Sequence, residues 1–253
     1  MITCGAYLGW IFIEVIHLPI AFALSLAALG SAALGLLLQF ALYGPLVRRK
    51  ASGLVLLLAS LGLYIVIQNS ISLVFGDQFR AYSRTGINGA ISIFGAQITK
   101  TELFIFAFNL ILYGGVNLVA AKTSVGRITR AVANDPELAI IYGINQQAVL
   151  LGVFAAGSAM AGIAGVLIGF DSSVNPTMGF DALLMGVVAA IVGGVGSLAG
   201  AIVGGFFIGF LQAFGVWQLP TEWQYTVVFF VLMMFLIFRP QGFFGQALRP
   251  TSS

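Results

Sequence analysis

Eight apolar runs, at roughly 3–16, 20–42, 53–75, 101–121, 146–170, 182–192, 197–215 and 225–238, govern what this chain can fold into. A helix needs about 20 mostly apolar residues to cross the hydrocarbon layer of a bilayer. In lipid the backbone is satisfied only inside a helix or a closed barrel, and these runs are continuous rather than alternating, which excludes barrel strands. Hydrophobic residues are 60% of the chain and charged residues 8%, against about half and a quarter in an ordinary soluble domain. The pattern predicts an all-α, polytopic transmembrane helical bundle of about seven to eight spans, forming one domain over 1–253. The count is left between those values because 182–192 and 197–215 are short and broken by glycine.

The few polar and charged residues narrow the function classes. Cys4 and His17 are each the sole residue of their type, so no intrachain disulfide, metal-ligand spacing or histidine-based triad is expected, and no cofactor. An intramembrane enzyme lacks its nucleophile and base. A net charge of +3 needs no nucleic-acid partner when lysines and arginines sit at membrane edges. The N-terminus lacks a basic n-region and an A-x-A site, so no cleaved signal peptide is expected. With the 43–52 loop cytoplasmic, that side holds Arg48, Arg49, Lys50, Lys122, Arg127, Arg130, Arg239 and Arg249. The other side holds Arg80, Arg84 and Lys100, together with Asp77, Glu102, Asp171, Asp181 and Glu222. The lysine and arginine bias matches the positive-inside rule. It predicts cytoplasmic termini, a cytoplasmic loop over 122–145, and external loops over 76–100 and 171–181.

Glycines are numerous, with 32 in the chain, and ordered. Gly157, Ala161, Gly165 and Gly169 recur every four residues, as do Gly196, Gly200 and Gly204, with Gly205 and Gly209 beside them. Small residues at this spacing let helix backbones approach closely, either to pack within the chain or to line a path or a second subunit.

Gly126–Asn145, reading GRITRAVANDPELAIIYGIN, is a charged island between two apolar runs. Asp135 is a suitable N-cap, Pro136 suits the first helical position, and Glu137 suits the positive end of the helix dipole. Gly143 is a natural stop. A two-turn helix over Pro136–Tyr142 follows, preceded by a piece over Ser124–Ala133 with Arg127 and Arg130 on one side. So short a helix needs a surface to lie on. Leu138, Ile141 and Tyr142 offer an apolar side, and Ala131, Ala133 and Ala139 keep the contact shallow. Lipid headgroups and a groove in a soluble partner are both open as that surface.

The pattern G-R-x-x-R-A-x-A-x-[ND]-P-x-x-A-x-x-x-G-I-N resembles the coupling-helix loop of ABC-transporter permeases that import branched-chain amino acids, the LivH type. Gly126, Arg127, Arg130, Ala131, Ala133, Asn134, Asp135, Pro136, Ala139, Gly143, Ile144 and Asn145 carry it. The segment 186–213 resembles the family's glycine-rich helix pair, and Arg239-Pro240-Gln241-Gly242 resembles its C-terminal R-P-x-G. The resemblance implies an inner-membrane permease without an ATPase site, working with a second permease chain, two ATP-binding subunits and a soluble substrate-binding protein. No G-x-x-x-x-G-K-[ST] phosphate loop occurs, and 193–196 reads Gly-Gly-Val-Gly without lysine. Family members begin with about two more spans, including an N-F-A-H-G-like segment. This chain opens at the equivalent of a third span with Gly5-Ala6-Tyr7, as a shortened form or one with a misplaced start.

Intramembrane polar residues are candidates for a path or for cross-helix glue: Gln39, Gln68, Asn69, Asn109, Asn117 and Gln212. Gln68 and Asn69 lie where an incoming amino acid could first be held. Asp181 either complements a helix dipole or binds a substrate ammonium. The break at Gly193, Gly194 and Gly196 is either a tight turn or an interrupted helix that meets solute. Glu14 and His17 share a helix edge as an exposed pair or a proton relay. Two readings stay beside the branched-chain amino acid importer: a urea or sugar permease of the same broad family, and a stand-alone secondary transporter or channel.

Overall fold

The computed structural model describes residues 1–83, 89–93, 96–218, 220, 223–239 and 241–245. Arg84, Glu222, Pro240 and Arg249, all placed on loops from the sequence, lie outside them. The chain divides into two compact units, Met1–Gly179 and Phe180–Ser253.

In the first unit, α1 (Ile2–Trp10) continues as a π-helical turn over Ile11–Val15. Helix α2 (Ile20–Leu38) runs through a second π-helical turn, Gln39–Tyr43, into α3 (Gly44–Arg48). Then come α4 (Gly53–Phe75) and an antiparallel pair, β1 (Ala90–Ile93) with β2 (Ala96–Thr99). Helices α5 (Lys100–Lys122), α6 (Ser124–Asn134), α7 (Pro136–Ile141) and α8 (Gln146–Asp171) complete the unit. The expected 76–100 loop therefore contains a short hairpin, which hydropathy had no means of showing.

Side-chain caps set several helix starts. At α5, Thr99 Oγ1 accepts from the Glu102 N–H at 3.3 Å while Glu102 Oε2 accepts from the Thr99 N–H at 2.9 Å, a reciprocal capping box. At α8, Asn145 Oδ1 accepts from the Ala148 N–H at 3.2 Å. Each cap satisfies amide donors that the first helical turn leaves orphaned.

Helices α1, α2 and α8 form the core through small residues. Helix α2 buries Ala23, Ala27, Ser31 and Gly35, spaced by four. Helix α8 buries Ser158, Gly162, Gly165 and Gly169. A Cβ on Gly162 would collide with Ser31, one on Gly35 with Ser158, and one on Gly165 with the Ile2 carbonyl. In lipid, association relies on such close packing rather than on hydrophobic transfer. The sequence stripe is half corrected here. Gly165 and Gly169 belong to it, but Gly157 meets no neighbour, and Ser158 and Gly162 take the places assigned to Gly157 and Ala161. Helices α4 and α5 bury no residue in the chain itself.

A strap over residues 77–83 ties three helix ends together. Arg80 and Val174 exchange backbone hydrogen bonds of 2.9 and 2.7 Å. The Arg80 guanidinium donates to the Phe75 carbonyl at 2.6 Å and lies 4.5 Å over the Trp10 ring. The Tyr82 hydroxyl donates to the Ala6 carbonyl at 2.7 Å. The Ser83 N–H and hydroxyl donate to the two Glu14 carboxylate oxygens at 2.7 and 2.8 Å. Glu14, read from sequence as an exposed pair or relay member, is thus held by the strap.

The second unit holds α9 (Met178–Gly193, its first two residues counted with the first unit), α10 (Leu198–Gln218) and α11 (Gln224–Phe238). Val188, Val192, Ile208 and Val228 form its core. Among the described residues five helices are long and apolar enough to span a membrane, and Ile2–Val15, Met178–Gly193 and Gln224–Phe238 are shorter apolar helices. They fall on the eight runs, so the chain is an all-α polytopic membrane bundle.

Candidate functional site

The island Gly126–Asn145 folds as two short helices, α6 and α7, with a break at Asp135. Thr123 opens α6, its hydroxyl oxygen accepting from the Gly126 N–H at 3.4 Å. Gly126 is buried against the end of α5, and a Cβ there would collide with the Ala120 carbonyl. The Arg130 guanidinium donates to that same carbonyl. Gly126 and Arg130 therefore fasten α6 to the C-terminus of α5, where backbone carbonyls lack intrahelical partners. Arg127 is exposed.

Asp135 then caps α7: its Oδ1 accepts from the Leu138 N–H at 3.0 Å, and Pro136 takes the first helical position. Gly143 closes the helix at φ 78°. Its N–H donates to the Ile140 carbonyl at 2.9 Å, and the Ile144 N–H donates to the Ala139 carbonyl at 3.0 Å. The helix ends one residue before the expected Tyr142, which is its C-cap.

The two helices sort their side chains. Val132 and Ala139 are buried, whereas Ala131, Ala133, Asn134, Leu138 and Ile140 are exposed. Of the large apolar side chains in this loop, Ile141 and Tyr142 are the most open, at 81% and 77% of their full exposure. Ala139, expected on the shallow outer contact, instead faces inward and seats α7. The apolar side left open is Leu138, Ile141 and Tyr142, as expected, with Ile140 added.

A pocket of about 200 Å³ lies among α1, α2, α4 and α8. Leu38, Leu63, Ile67 and Phe154 give it apolar walls, and Ser60, Gln68 and Ser158 add uncharged polar groups. Ser60 donates to the Leu56 carbonyl at 2.8 Å, so at the 2.8 Å contact between the two hydroxyls Tyr43 is the donor. Tyr43 is the last residue of the π-helical turn that follows α2, a distortion frequent at functional sites. Gln68 lines this pocket; Asn69 is exposed and donates to its own helix at the Ile65 carbonyl, 2.8 Å away. The two are therefore separated. Gln39 is buried, with a side-chain oxygen that has no donor among the described residues.

Gly193, Gly194 and Gly196 form the turn between α9 and α10. Gly193 packs against the Gly200 backbone, and Gly194 and Gly196 take φ of 109° and 89°. The C-terminal segment closes this turn. The Phe243 N–H donates to the Val192 carbonyl and the Phe244 N–H to the Gly193 carbonyl, both at 2.9 Å. Gly242, at φ 70°, sits so close to Gly194 that a Cβ would clash with its N–H. Asp181 is exposed in the first turn of α9. Sequence reasoning missed the tie between the Arg239–Gly242 motif and the glycine turn. The shared demand for glycine at 194 and 242 was its only trace.

Apolar helices around a pocket, with α2, α4 and α8 of spanning length, and a fastened pair of short helices define a multi-pass membrane transport component. The chain belongs to the branched-chain amino acid transport system permease component family, which matches residues 1–237. It is 29% identical over 255 residues to the high-affinity branched-chain amino acid transport system permease protein BraD of Pseudomonas aeruginosa. That alignment covers 96% of this chain and 82% of the relative. It is 33% identical over 203 residues to the corresponding LivH protein of Salmonella typhimurium, covering 78% of this chain and 66% of that protein. A xylose transport system permease protein, XylH of Escherichia coli, is 33% identical over 138 residues, covering 51% of this chain and 35% of the relative. No solved structure matches the chain.

Proposed function

We propose that the chain is the membrane-spanning permease subunit of an ATP-binding-cassette importer that moves branched-chain or similar small neutral amino acids across the bacterial inner membrane. The whole of 1–253 acts as one permease domain. Both termini and the 122–145 loop face the cytoplasm, and 76–100 and 171–181 face outward. ATP hydrolysis resides on two separate ATPase subunits; a second permease chain and a soluble binding protein complete the assembly. The chain itself carries out no covalent chemistry and needs no cofactor.

One observation carries this reading: α7 is capped at both ends, seated by Ala139, and leaves Leu138, Ile141 and Tyr142 open. A six-residue helix has no stability of its own, so an open apolar side on one fixed so firmly suits docking of a moving partner. Gly126, Arg130, Asp135, Pro136, Ala139 and Gly143 hold the helix in place. Arg127, Ala131, Ala133 and Asn134 lie on its approach. Gln68 contributes to the substrate route, for which the pocket's apolar walls and uncharged polar groups suit an aliphatic side chain. Gly193, Gly194 and Gly196 serve as a fixed turn in that framework rather than as a solute site. The partial match to a xylose permease favours a sugar as the second substrate class. Uptake of labelled leucine and labelled xylose by vesicles holding the full assembly tests the choice: leucine uptake driven by ATP supports the proposal, and xylose uptake alone overturns the substrate.

A further inference from the structure

Of the charged side chains among the described residues, only Glu14 and Arg80 are part-buried. The two Glu14 oxygens receive the N–H and hydroxyl of Ser83. Arg80 is different. It donates to the Phe75 carbonyl and lies over the Trp10 ring, yet its Nε–H is buried with no acceptor among the described residues. No carboxylate among the described residues pairs with it. Next to it, Tyr7 is 2% exposed and its hydroxyl is also buried without a partner among the described residues. Both side chains pack on the Phe75 ring: the Tyr7 ring centroid is 4.8 Å from it and the Arg80 guanidinium carbon 5.8 Å. A half-buried cation and two idle donors among aromatic rings are unfavourable while unpaired, because unsatisfied buried donors keep their desolvation cost. They suit one ligand chemistry, an oxyanion, and a guanidinium matches a planar carboxylate best.

We propose that Arg80 and Tyr7 form a receiving site for the carboxylate of the transported amino acid, where the strap meets the ends of α1 and α4. This rests on the amino-acid importer reading above. The ring of Trp10 under the guanidinium provides the reporter. In a Trp217→Phe/Trp223→Phe background, Trp10 is the remaining tryptophan of the chain. The permease, with its co-purifying subunits but without binding protein, is placed in phosphatidylcholine nanodiscs. Emission is followed as leucine, or leucinamide, which lacks the carboxylate, is added.

The expected result is a saturable response to leucine and none to leucinamide over the same range. Arg80→Gln raises the half-saturating leucine concentration about tenfold or more, and Tyr7→Phe, which keeps the ring, raises it a few-fold. Arg80→Lys, which preserves the charge on the strap, loses most of the response while keeping the wild-type melting temperature. Equal responses to leucine and leucinamide, or an Arg80→Gln titration that overlays the wild type, overturn the site. A response that follows added phosphatidylglycerol instead of leucine assigns the donors to lipid phosphate and overturns it too. Leucine uptake by the same assembly is measured in parallel. Uptake with an unchanged Arg80→Gln titration overturns the carboxylate site alone, whereas no leucine uptake by the wild type overturns the importer reading beneath it.

Discussion

The Arg130 guanidinium donates to the Ala120 carbonyl, the same oxygen that a Cβ on Gly126 would strike. Two motif residues thus act on one acceptor, one by binding it and one by leaving room for it. Gly126→Ala should release α6 from α5 and abolish co-purification of ATPase subunits without preventing membrane insertion. Arg130→Gln should lose a charge-assisted hydrogen bond, worth about 1.5–3 kcal/mol, and show faster amide exchange over 124–141 than the wild type. Unchanged exchange in both variants would mean the junction is not what holds the loop.

The open and buried sides of α7 give opposite predictions. Tyr142→Ala and Ile141→Ser remove exposed side chains, so thermal stability should stay within about 0.5 kcal/mol of wild type while ATP-driven uptake falls at least tenfold. Ala139→Glu places a charge at a buried position and should lower the unfolding temperature in detergent. Destabilisation by Tyr142→Ala would place that residue in the fold instead of at an interface.

Gly242 carries both a left-handed backbone and a close approach to Gly194. Gly242→Ala should free the C-terminal segment from the Val192 and Gly193 carbonyls, at about 1–3 kcal/mol of local stability. Limited proteolysis should then cut near 239–245 in the variant and spare the wild type. Equal cleavage would argue that the segment is not held there.

Tyr82 provides a test in alkaline solution. Burial, and then the Glu14 carboxylate, push its phenol well above the ordinary 10.0. The native state therefore favours the neutral hydroxyl that donates to Ala6. Its contribution is complete below pH 10 and declines as pH rises beyond 10, because only the unfolded chain then releases the proton. Melting temperatures of wild type and Tyr82→Phe should run parallel below pH 10 and converge above it. Parallel curves up to pH 11.5 would contradict the assignment.

Much of the fold was legible because lipid imposes a single rule on helix length. The eight apolar runs became helices with ends a few residues away, and Asp135, Pro136 and Gly143 marked α7 through capping chemistry that is local to the chain. The rest depended on partners distant in sequence. Gly157 and Ser158 are adjacent small residues, and only the position of α2 decides which one is buried. The α2 stripe of Ala23, Ala27, Ser31 and Gly35 went unread because alanines and a serine among leucines carry no distinctive pattern. Ala139 could not be assigned to the inner side of α7 without knowing where α6 sits. The Arg80–Ser83 strap draws its partners from residues up to 94 positions away, Val174 being the farthest, so no window of sequence contains it.

The docking role of α7 is the central claim, and a cysteine cross-link tests it most directly. Cys4 is the only native cysteine, so a Cys4→Ser, Tyr142→Cys chain presents one thiol at the open side of the helix. Treated in native membranes with a short thiol-to-amine cross-linker, it should yield an adduct with an ATP-binding subunit whose amount changes when ATP is bound. A thiol that stays fully reactive to a small water-soluble maleimide, with no such adduct in the presence of the ATPase subunits, would contradict the account.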